Sequence, residues 1–297
     1  MSVALPLPVE PTATTRLALL AIETSTHLLS VGVLSRSLPA NLLLAQGEGG
    51  AQASANLLPT ITVLLAQAGM TLADLDAVVY GCGPGAFTGL RTATAVVQGL
   101  AYGTRSAHHP DGLPVLGVDT LLATAEAARH ALQTQQGLPD GPLIITAMLD
   151  ARMDELYAAT WQFDDPTAPH AHQVAGPWLC KPEALAAQLP PQALSGWLAG
   201  NVFEVYGQRL PALAPLGLTA SGQQSATPSV RHIACWPDAA ALLRLAPGLL
   251  TAGHATAAAG AQPVYVRDQV AKTTAERAAE QAAAHGAAQA AVTDRSA

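Results

Sequence analysis

Tyr80-Gly81-Cys82-Gly83-Pro84-Gly85-Ala86-Phe87-Thr88-Gly89-Leu90-Arg91 is the stretch that decides the fold. The apolar run 76–81 predicts a buried strand, the glycines predict a tight loop, and 89–102 predicts a helix ended by Gly103. The glycine spacing matches neither a Walker loop nor a dinucleotide fingerprint. Such a loop can point backbone N–H groups at an anion, or it can let a helix pack closely on a sheet. Both interpretations stay open at this point.

Outward from this stretch, the predicted elements follow one order twice. Before the stretch come three strands and a helix, so that the first half is ordered as three strands, a helix, a strand and a helix. The second half repeats this order. The strands are predicted at 17–23, 29–35, 41–46, 143–149, 155–163, 173–179 and 197–200, and the further helices at 54–68, 120–132, 182–188, 202–209 and 237–245.

This repeated order predicts an α/β protein made of duplicated ribonuclease-H-like domains, the architecture of the actin-like ATPase (ASKHA) superfamily. We expect a disordered N-terminal tail at 1–16, a first domain at 17–118, a second domain at 119–268 and an Ala-rich C-terminal tail at 269–297. The first domain holds the glycine-rich loop.

Composition narrows the functional classes. The net charge is −7 and the basic residues are scattered, which argues against a nucleic-acid groove on this chain. The three cysteines are far apart, so neither a disulfide framework nor a zinc site is predicted. We find no signal peptide and no apolar run of membrane-spanning length, and we expect a cytoplasmic protein.

A second short motif, Glu23-Thr24-Ser25-Thr26, follows the first predicted strand. Actin-like ATPases use an acidic residue with small hydroxyl or glycine residues here to hold phosphate and metal. Together with the glycine-rich loop, the motif predicts a weak nucleotide-binding site at Thr24, Ser25, Gly83 and Gly85. The alternative is a hairpin turn whose hydroxyls cap backbone groups.

The two helices of the first half are almost uncharged. The helix at 54–68 has no charged residue, and the helix at 90–102 has only Arg91. A helix packed on a sheet usually carries charge on its outer face. The pattern therefore predicts that both faces are buried, either under the second domain or against another protein.

Four segments together resemble the TsaB (YeaZ) family. They are Ala21-Ile22-Glu23-Thr24-Ser25, the loop from Gly83 to Arg91, Asp150-Ala151-Arg152-Met153-Asp154-Glu155-Leu156-Tyr157 and Pro263-Val264-Tyr265-Val266-Arg267-Asp268. The resemblance implies a non-catalytic scaffold subunit, without a cofactor, of the complex that installs a threonylcarbamoyl group on N6 of adenosine 37 of tRNA.

The resemblance also implies the partners. They are a TsaD-like catalytic subunit in a heterodimer and a TsaE-like ATPase, with tRNA contacted only through the complex. For the isolated chain, a homodimer and a monomer both stay open. Family members pair through the helices that correspond to the two uncharged ones. The predicted partner interface comprises Leu57, Leu58, Ile61, Leu65, Thr92, Val96 and Leu100.

One departure from the catalytic relative bears on mechanism. That relative has a His-x-x-x-His metal pair where this chain has Gly117-Val118-Asp119-Thr120-Leu121-Leu122-Ala123. Two imidazoles at i and i+4 would place two ligands on one helix face, so we expect no metal site and no catalysis by this chain. The alternative functions are an ATP-dependent phosphotransferase that uses Asp150 as its acid and, third, a peptidase.

Overall fold

The computed structural model describes residues 17–36, 42–105, 110–135, 137–210 and 231–267. The two predicted tails, 1–16 and 269–297, lie outside these residues. The chain divides into one unit through Val266 and a second unit from Arg267 to Ala297, of which only Arg267 is described.

The first sheet contains five strands in the order β3-β2-β1-β4-β5. Its strands are β1 (Leu19–Glu23), β2 (Leu28–Leu34), β3 (Leu42–Glu48), β4 (Ala77–Gly83) and β5 (Val115–Asp119). β1, β2 and β3 pair antiparallel, whereas β4 and β5 run parallel to β1. Two helices accompany this sheet, α1 (Ala53–Gln67) and α2 (Phe87–Gly103).

The second sheet has five strands in the order β10-β9-β6-β7-β8, which is the order of the first sheet read from its other edge. Its strands are β6 (Leu143–Arg152), β7 (Glu155–Phe163), β8 (His172–Cys180), β9 (Trp197–Gly200) and β10 (Arg231–Ala234). The helices of this half are α3 (Thr120–Gln135), α4 (Leu185–Gln188), α5 (Val202–Tyr206) and α6 (Ala239–Thr251). The repeated strand order confirms the predicted α/β fold and its duplication.

Several element bounds differ from the predicted ones. α4 and α5 are shorter than predicted, because 3-10 turns form the rest of 182–188 and 202–209. α6 continues through Pro247 to Thr251, six residues beyond its predicted end. β10, which has exposed residues and only four positions, was not predicted.

The central strand β1 is buried on both faces, as its continuous apolar sequence requires. Leu20 and Ile22 pack with residues of α1 and α2, and Leu19 and Ala21 pack with residues of α3 and α6. α6 contacts β1 and β2, although it follows the second sheet in sequence, and α3 contacts β6 and β7. The two helices therefore form a layer between the sheets.

The predicted boundary at 118/119 coincides with the end of β5. A single boundary there does not describe α6, which follows the second sheet in sequence but packs on the first sheet. The segment after α6 also returns, because Thr256 pairs with Val115. The division into two domains stays a prediction.

Among the described residues, none of the helices has the length and apolarity that a membrane span requires.

A buried ion network joins α3 to α6. The Glu126 carboxylate is fully buried and accepts hydrogen bonds from Arg129 at 2.6 and 2.9 Å and from Arg244 Nε at 2.6 Å. Arg129 Nη1 also donates to the Pro166 carbonyl at 2.8 Å, beyond the end of β7. The network therefore connects both central helices to the second sheet.

We expect Arg129→Met to lower the free energy of unfolding by about 3 kcal/mol, because it removes a charge partner from a buried carboxylate. Arg36→Met is the control, since Arg36 pairs with Asp76 at the surface. Its effect should stay below about 1 kcal/mol. Urea unfolding at neutral pH measures both. Equal losses in the two variants would contradict a stabilising role of the buried network.

Candidate functional site

The glycine-rich loop packs directly on the turn that follows β1. Thr24 Oγ1 donates to the Gly89 carbonyl at 2.8 Å, and Ala86 N donates to the Ser25 carbonyl at 2.6 Å. A Cβ at Gly89 would lie 1.9 Å from the Thr24 carbonyl oxygen, and one at Gly85 would lie 2.6 Å from Ser25. The missing side chains thus permit contact between two backbone segments.

The same contacts bear on the predicted nucleotide-binding residues. The structure brings Thr24 and Ser25 together with the loop glycines, and both side chains are buried. Gly83 has φ +127°, and a Cβ there would lie 2.2 Å from the Val264 carbonyl oxygen. Each of the four predicted residues therefore makes close contacts within the chain. Nucleotide binding at this place stays a prediction.

Glu23, which ends β1, is buried beside this loop. Its Oε1 accepts a hydrogen bond from Ser25 N at 2.5 Å, while Oε2 has no hydrogen-bond partner in the part of the chain that the structure describes. A Cβ at Gly81 would lie 1.9 Å from Oε2. Burial raises the pKa of Glu23 to about 7, hydrogen bonds from Ser25 oppose this, and the nearby charge of Asp238 adds to it.

Two further acids, both partly buried, begin helices. Asp119 Oδ1 accepts from Leu121 N at 2.7 Å and from Leu122 N at 3.0 Å, at the start of α3. Asp238 Oδ1 accepts from Ala241 N at 2.7 Å, at the start of α6. Both acids thereby satisfy N–H groups that a helix leaves unpaired. Burial raises the pKa of Asp119 to about 6 and also raises the pKa of Asp238.

Asp119 lies in the stretch 117–123, where the catalytic relative has its histidine pair. Here the stretch forms the end of β5 and the first turn of α3. Over the described ranges, we find no group of three His, Cys, Asp or Glu side chains placed to hold a metal ion.

Asp150, the acid considered for a phosphotransferase, lies near the end of β6. Its Oδ1 accepts from Tyr206 Oη at 2.8 Å and from Arg152 N at 2.9 Å. The hairpin that follows contains three consecutive non-glycine residues with positive φ, which are Arg152 at 61°, Met153 at 53° and Asp154 at 68°. The Asp150 carboxylate thus holds an unusual turn through local hydrogen bonds.

The seven predicted interface residues divide into two groups. Leu57, Ile61 and Leu65 are 0%, 2% and 6% exposed and belong to the core between α1 and the first sheet. For these three, the predicted partner contact was wrong, because their face of α1 packs on the chain's own sheet. The remaining four residues are accessible; Leu58 is 50% exposed, and Thr92, Val96 and Leu100 are partly exposed.

The exposed side chains of α1 and α2 form what we call the helix-pair face. Its members are Ser54, Ala55, Leu58, Pro59, Thr62, Val63, Ala66 and Gln67 of α1, and Thr88, Arg91, Ala95, Gly99, Tyr102 and Gly103 of α2. Arg91 is the one charged residue in either helix. Val63, which sequence reasoning missed, is as exposed as Leu58. The sequence feature that could have indicated its exposure is its position next to Leu64, which belongs to the buried face of α1.

A cluster that sequence reasoning also missed lies at the start of α2. The Arg91 guanidinium carbon lies 3.7 Å from the centroid of the Phe87 ring, and Arg91 Nε donates to Tyr265 Oη at 3.1 Å. The Phe87 and Tyr265 rings are 5.0 Å apart. The three residues belong to two motifs that are far apart in sequence, so only folding shows that they meet.

Comparisons with known proteins agree with this architecture. The model of the family described as TsaD: tRNA N6-adenosine threonylcarbamoyltransferase matches residues 49–275. The tRNA threonylcarbamoyladenosine biosynthesis protein TsaB of Escherichia coli (strain K12) is 30% identical over 256 residues, which are 85% of this chain and 96% of that protein. The protein of the same name from Haemophilus influenzae is 30% identical over 86% of this chain and 95% of that protein.

Among solved structures, the one titled "YeaZ from Pseudomonas aeruginosa" is similar to this chain with a TM-score of 0.65 and 31% identity. The likeness covers 84% of this chain and 100% of that chain. The similarity therefore extends over both sheets.

We expect Gly89→Ala to destabilise the protein by about 2 kcal/mol, because its Cβ would overlap the Thr24 carbonyl. Gly99→Ala, in the same helix, is the matched control, since a Cβ there meets no atom within 4 Å. It should stabilise by about 0.5–1 kcal/mol through helix propensity. Thermal and urea unfolding measure both. A gain of stability in both variants would show that the loop does not depend on the glycine contact.

We expect stability to fall as the pH rises from about 5 to about 8. Because the folded-state pKa of Glu23, about 7, exceeds the ordinary value of 4.5, the folded state holds the proton more tightly. Its contribution is complete below the unfolded-state pKa and is lost as the pH rises through the folded-state pKa. Glu23→Gln, which cannot ionise, should reduce the loss by up to about 3 kcal/mol.

Urea unfolding at pH 5 and pH 8 measures this difference. Asp119 contributes to the loss in the wild type and in the variant alike, because its pKa is also raised. The exposed Glu204→Gln is the control and should retain the wild-type pH dependence. If Glu23→Gln retains it too, the buried carboxyl does not cause the loss.

Proposed function

The chain belongs to the TsaB (YeaZ) family of tRNA threonylcarbamoyladenosine biosynthesis proteins, and from this membership we propose that it is a non-catalytic scaffold subunit. In this proposal it binds and supports a TsaD-like catalytic subunit, which installs the threonylcarbamoyl group on N6 of adenosine 37 of tRNA. A TsaE-like ATPase joins the same complex. The helix-pair face, which carries a single charged residue, is the observation that carries the proposal.

The composition of the helix-pair face supports binding to a protein. Leu58 and Val63 are each 50% exposed, and Tyr102 is 41% exposed. A helix that permanently faces water usually presents charged residues there, whereas this face presents Arg91 alone. An exposed apolar face of this kind is typical of a surface that a partner covers.

The nature of the partner follows from the family match. This chain matches the TsaD family model over residues 49–275, a range that includes α1 and α2. We therefore infer that a TsaD-like subunit has a helix pair in the corresponding place. Two such pairs can pack as a four-helix contact, and small residues such as Ala95 and Gly99 allow the helices to approach closely. A homodimer through the same face is the arrangement proposed for the chain without its partner.

The acids of the fold support a structural role. Asp119 and Asp238 bind the first N–H groups of α3 and α6, and Asp150 binds the hairpin after β6. Glu23 is sealed in the interior. For Asp119, Asp150 and Asp238, contacts within the chain account for the position of the carboxylate.

The charge of the chain supports tRNA binding through the complex. With a net charge of −7, the chain repels a polyanion at long range. Phosphate contacts require clustered Lys and Arg, which we therefore assign to the partner. The isolated chain should bind tRNA no more tightly than about 10⁻⁴ to 10⁻⁶ M at physiological salt.

We expect Leu58→Asp to weaken binding to the TsaD-like subunit about a thousandfold while the chain stays folded. The introduced carboxylate would lose its water on association, at a cost of about 4 kcal/mol. Val205→Asp is the matched control, because Val205 is 51% exposed on α5, away from this face. Isothermal titration measures affinity, and circular-dichroism melting measures folding.

Ile61→Asp separates the two faces of α1. Ile61 is 2% exposed in the chain's own core, so the substitution should lower the melting temperature rather than act on binding alone. Unchanged affinity of a folded Leu58→Asp variant for the TsaD-like subunit would refute the helix-pair face as the interface.

A further inference from the structure

Arg91 is held in a defined orientation on the helix-pair face. Its guanidinium stacks 3.7 Å from the Phe87 ring centroid, and its Nε donates to Tyr265 Oη at 3.1 Å. Tyr265 itself packs on Phe87 with ring centroids 5.0 Å apart. A free, exposed arginine loses considerable side-chain entropy when a partner immobilises it. In this chain Phe87 and Tyr265 order the Arg91 side chain before any partner binds.

The contacts of Arg91 leave its outer edge available. Nε is used by Tyr265, whereas Nη1 and Nη2 have no hydrogen-bond partner among the residues that the structure describes. The described ion pairs do not include Arg91 either. Two terminal nitrogens with parallel N–H groups match the two oxygens of a carboxylate.

We propose that Arg91, oriented by Phe87 and Tyr265, is a receptor for one Asp or Glu side chain of the protein that covers the helix-pair face. This inference rests on the proposed function and specifies the chemistry of the partner surface. That surface is largely uncharged where it meets α1 and α2, and it presents a single carboxylate opposite the start of α2.

Charge complementarity distinguishes this occupant from a second copy of the chain. α1 and α2 contain no acidic residue, so the equivalent helices of a second copy cannot supply the carboxylate. A symmetric contact through these helices would instead add an unpaired arginine from each copy. The receptor therefore favours a heterologous partner and sets the register of its helices.

The surroundings also favour a carboxylate over an RNA phosphate. Phosphate binding to RNA draws on several cations along a strand. Arg91 is the one charge of the helix-pair face, and the side chains around it are apolar or small. An isolated, pre-oriented guanidinium within an apolar surface suits a single bidentate ion pair that becomes desolvated on association.

The test measures the affinity of the full chain for its TsaD-like subunit by isothermal titration. Arg91→Gln should weaken binding about thirtyfold or more, because a desolvated carboxylate loses its partner. Arg91→Lys should weaken it about tenfold, since lysine keeps the charge but lacks the planar fork. Tyr265→Phe should weaken it about threefold, because Nε loses its orienting hydrogen bond.

Arg231→Gln is the matched control. Arg231 is also an exposed arginine over an aromatic ring, 5.4 Å from the centroid of Trp197, but it lies on β10 in the second sheet. It should leave affinity unchanged. Circular-dichroism melts of all four variants should match the wild type, because each altered group is exposed.

A charge swap identifies the carboxylate. Arg91→Glu should abolish binding, and changing one partner Asp or Glu to Arg should restore it. If the wild-type chain does not bind the TsaD-like subunit, the proposed function fails. If the wild type binds and Arg91→Gln binds equally well, only the receptor is refuted. A variant that keeps its affinity for the subunit but lowers the affinity of the complex for tRNA also refutes it, in favour of a phosphate contact.

Discussion

The close approach of the loop 83–89 to the turn after β1 is the contact on which the first half of the molecule depends. A side chain at Gly89 would coincide with the Thr24 carbonyl, and one at Gly85 would overlap Ser25. Because α2 begins within this loop, the contact determines where α2 starts and which of its faces points outward. The same approach seals Glu23 behind Gly81, so the acid at the end of β1 is an interior group with a raised pKa. The need for glycine in this loop thus determines both the burial of Glu23 and the side of α2 that is exposed.

The layer formed by α3 and α6 plays the corresponding role between the sheets. Its apolar side chains join the two cores, but the charged groups within it define a particular geometry. The Glu126 carboxylate accepts hydrogen bonds from two arginines, one from each helix. Burying this carboxylate without either arginine would cost free energy, because its charge would lose water without gaining a partner. Asp119 and Asp238 begin these helices with partly buried carboxylates. Polar interactions therefore position the layer, while apolar burial supplies most of its favourable free energy.

These two features together describe a protein whose helix-starting acids, Asp119 and Asp238, are bound within the chain and whose exposed helix pair carries one charged residue, Arg91. Membership of the TsaB family places the chain in tRNA threonylcarbamoyladenosine biosynthesis. The scaffold role proposed above follows from the surface rather than from the interior. Within that surface, Arg91 is the one charged residue, and its stacking on Phe87 holds its guanidinium in a defined orientation.

The sequence by itself determined most of the elements, the duplication and the family, because apolar periodicity and short motifs are local properties. The continuous run of β1, the glycines before α2 and the absence of charge in α1 could all be recognised without coordinates. What sequence could not determine was which side of α1 meets the sheet. Leu57 and Leu58 are adjacent and equally apolar, yet one is fully buried and the other is half exposed. Only tertiary packing decides this, since it depends on the path of the chain before and after the helix. For the same reason α6 could not be assigned to the first sheet, and Arg91 could not be connected to Tyr265, which lies 174 residues later. Contacts between distant segments follow from how the whole chain closes on itself, and no local pattern encodes them.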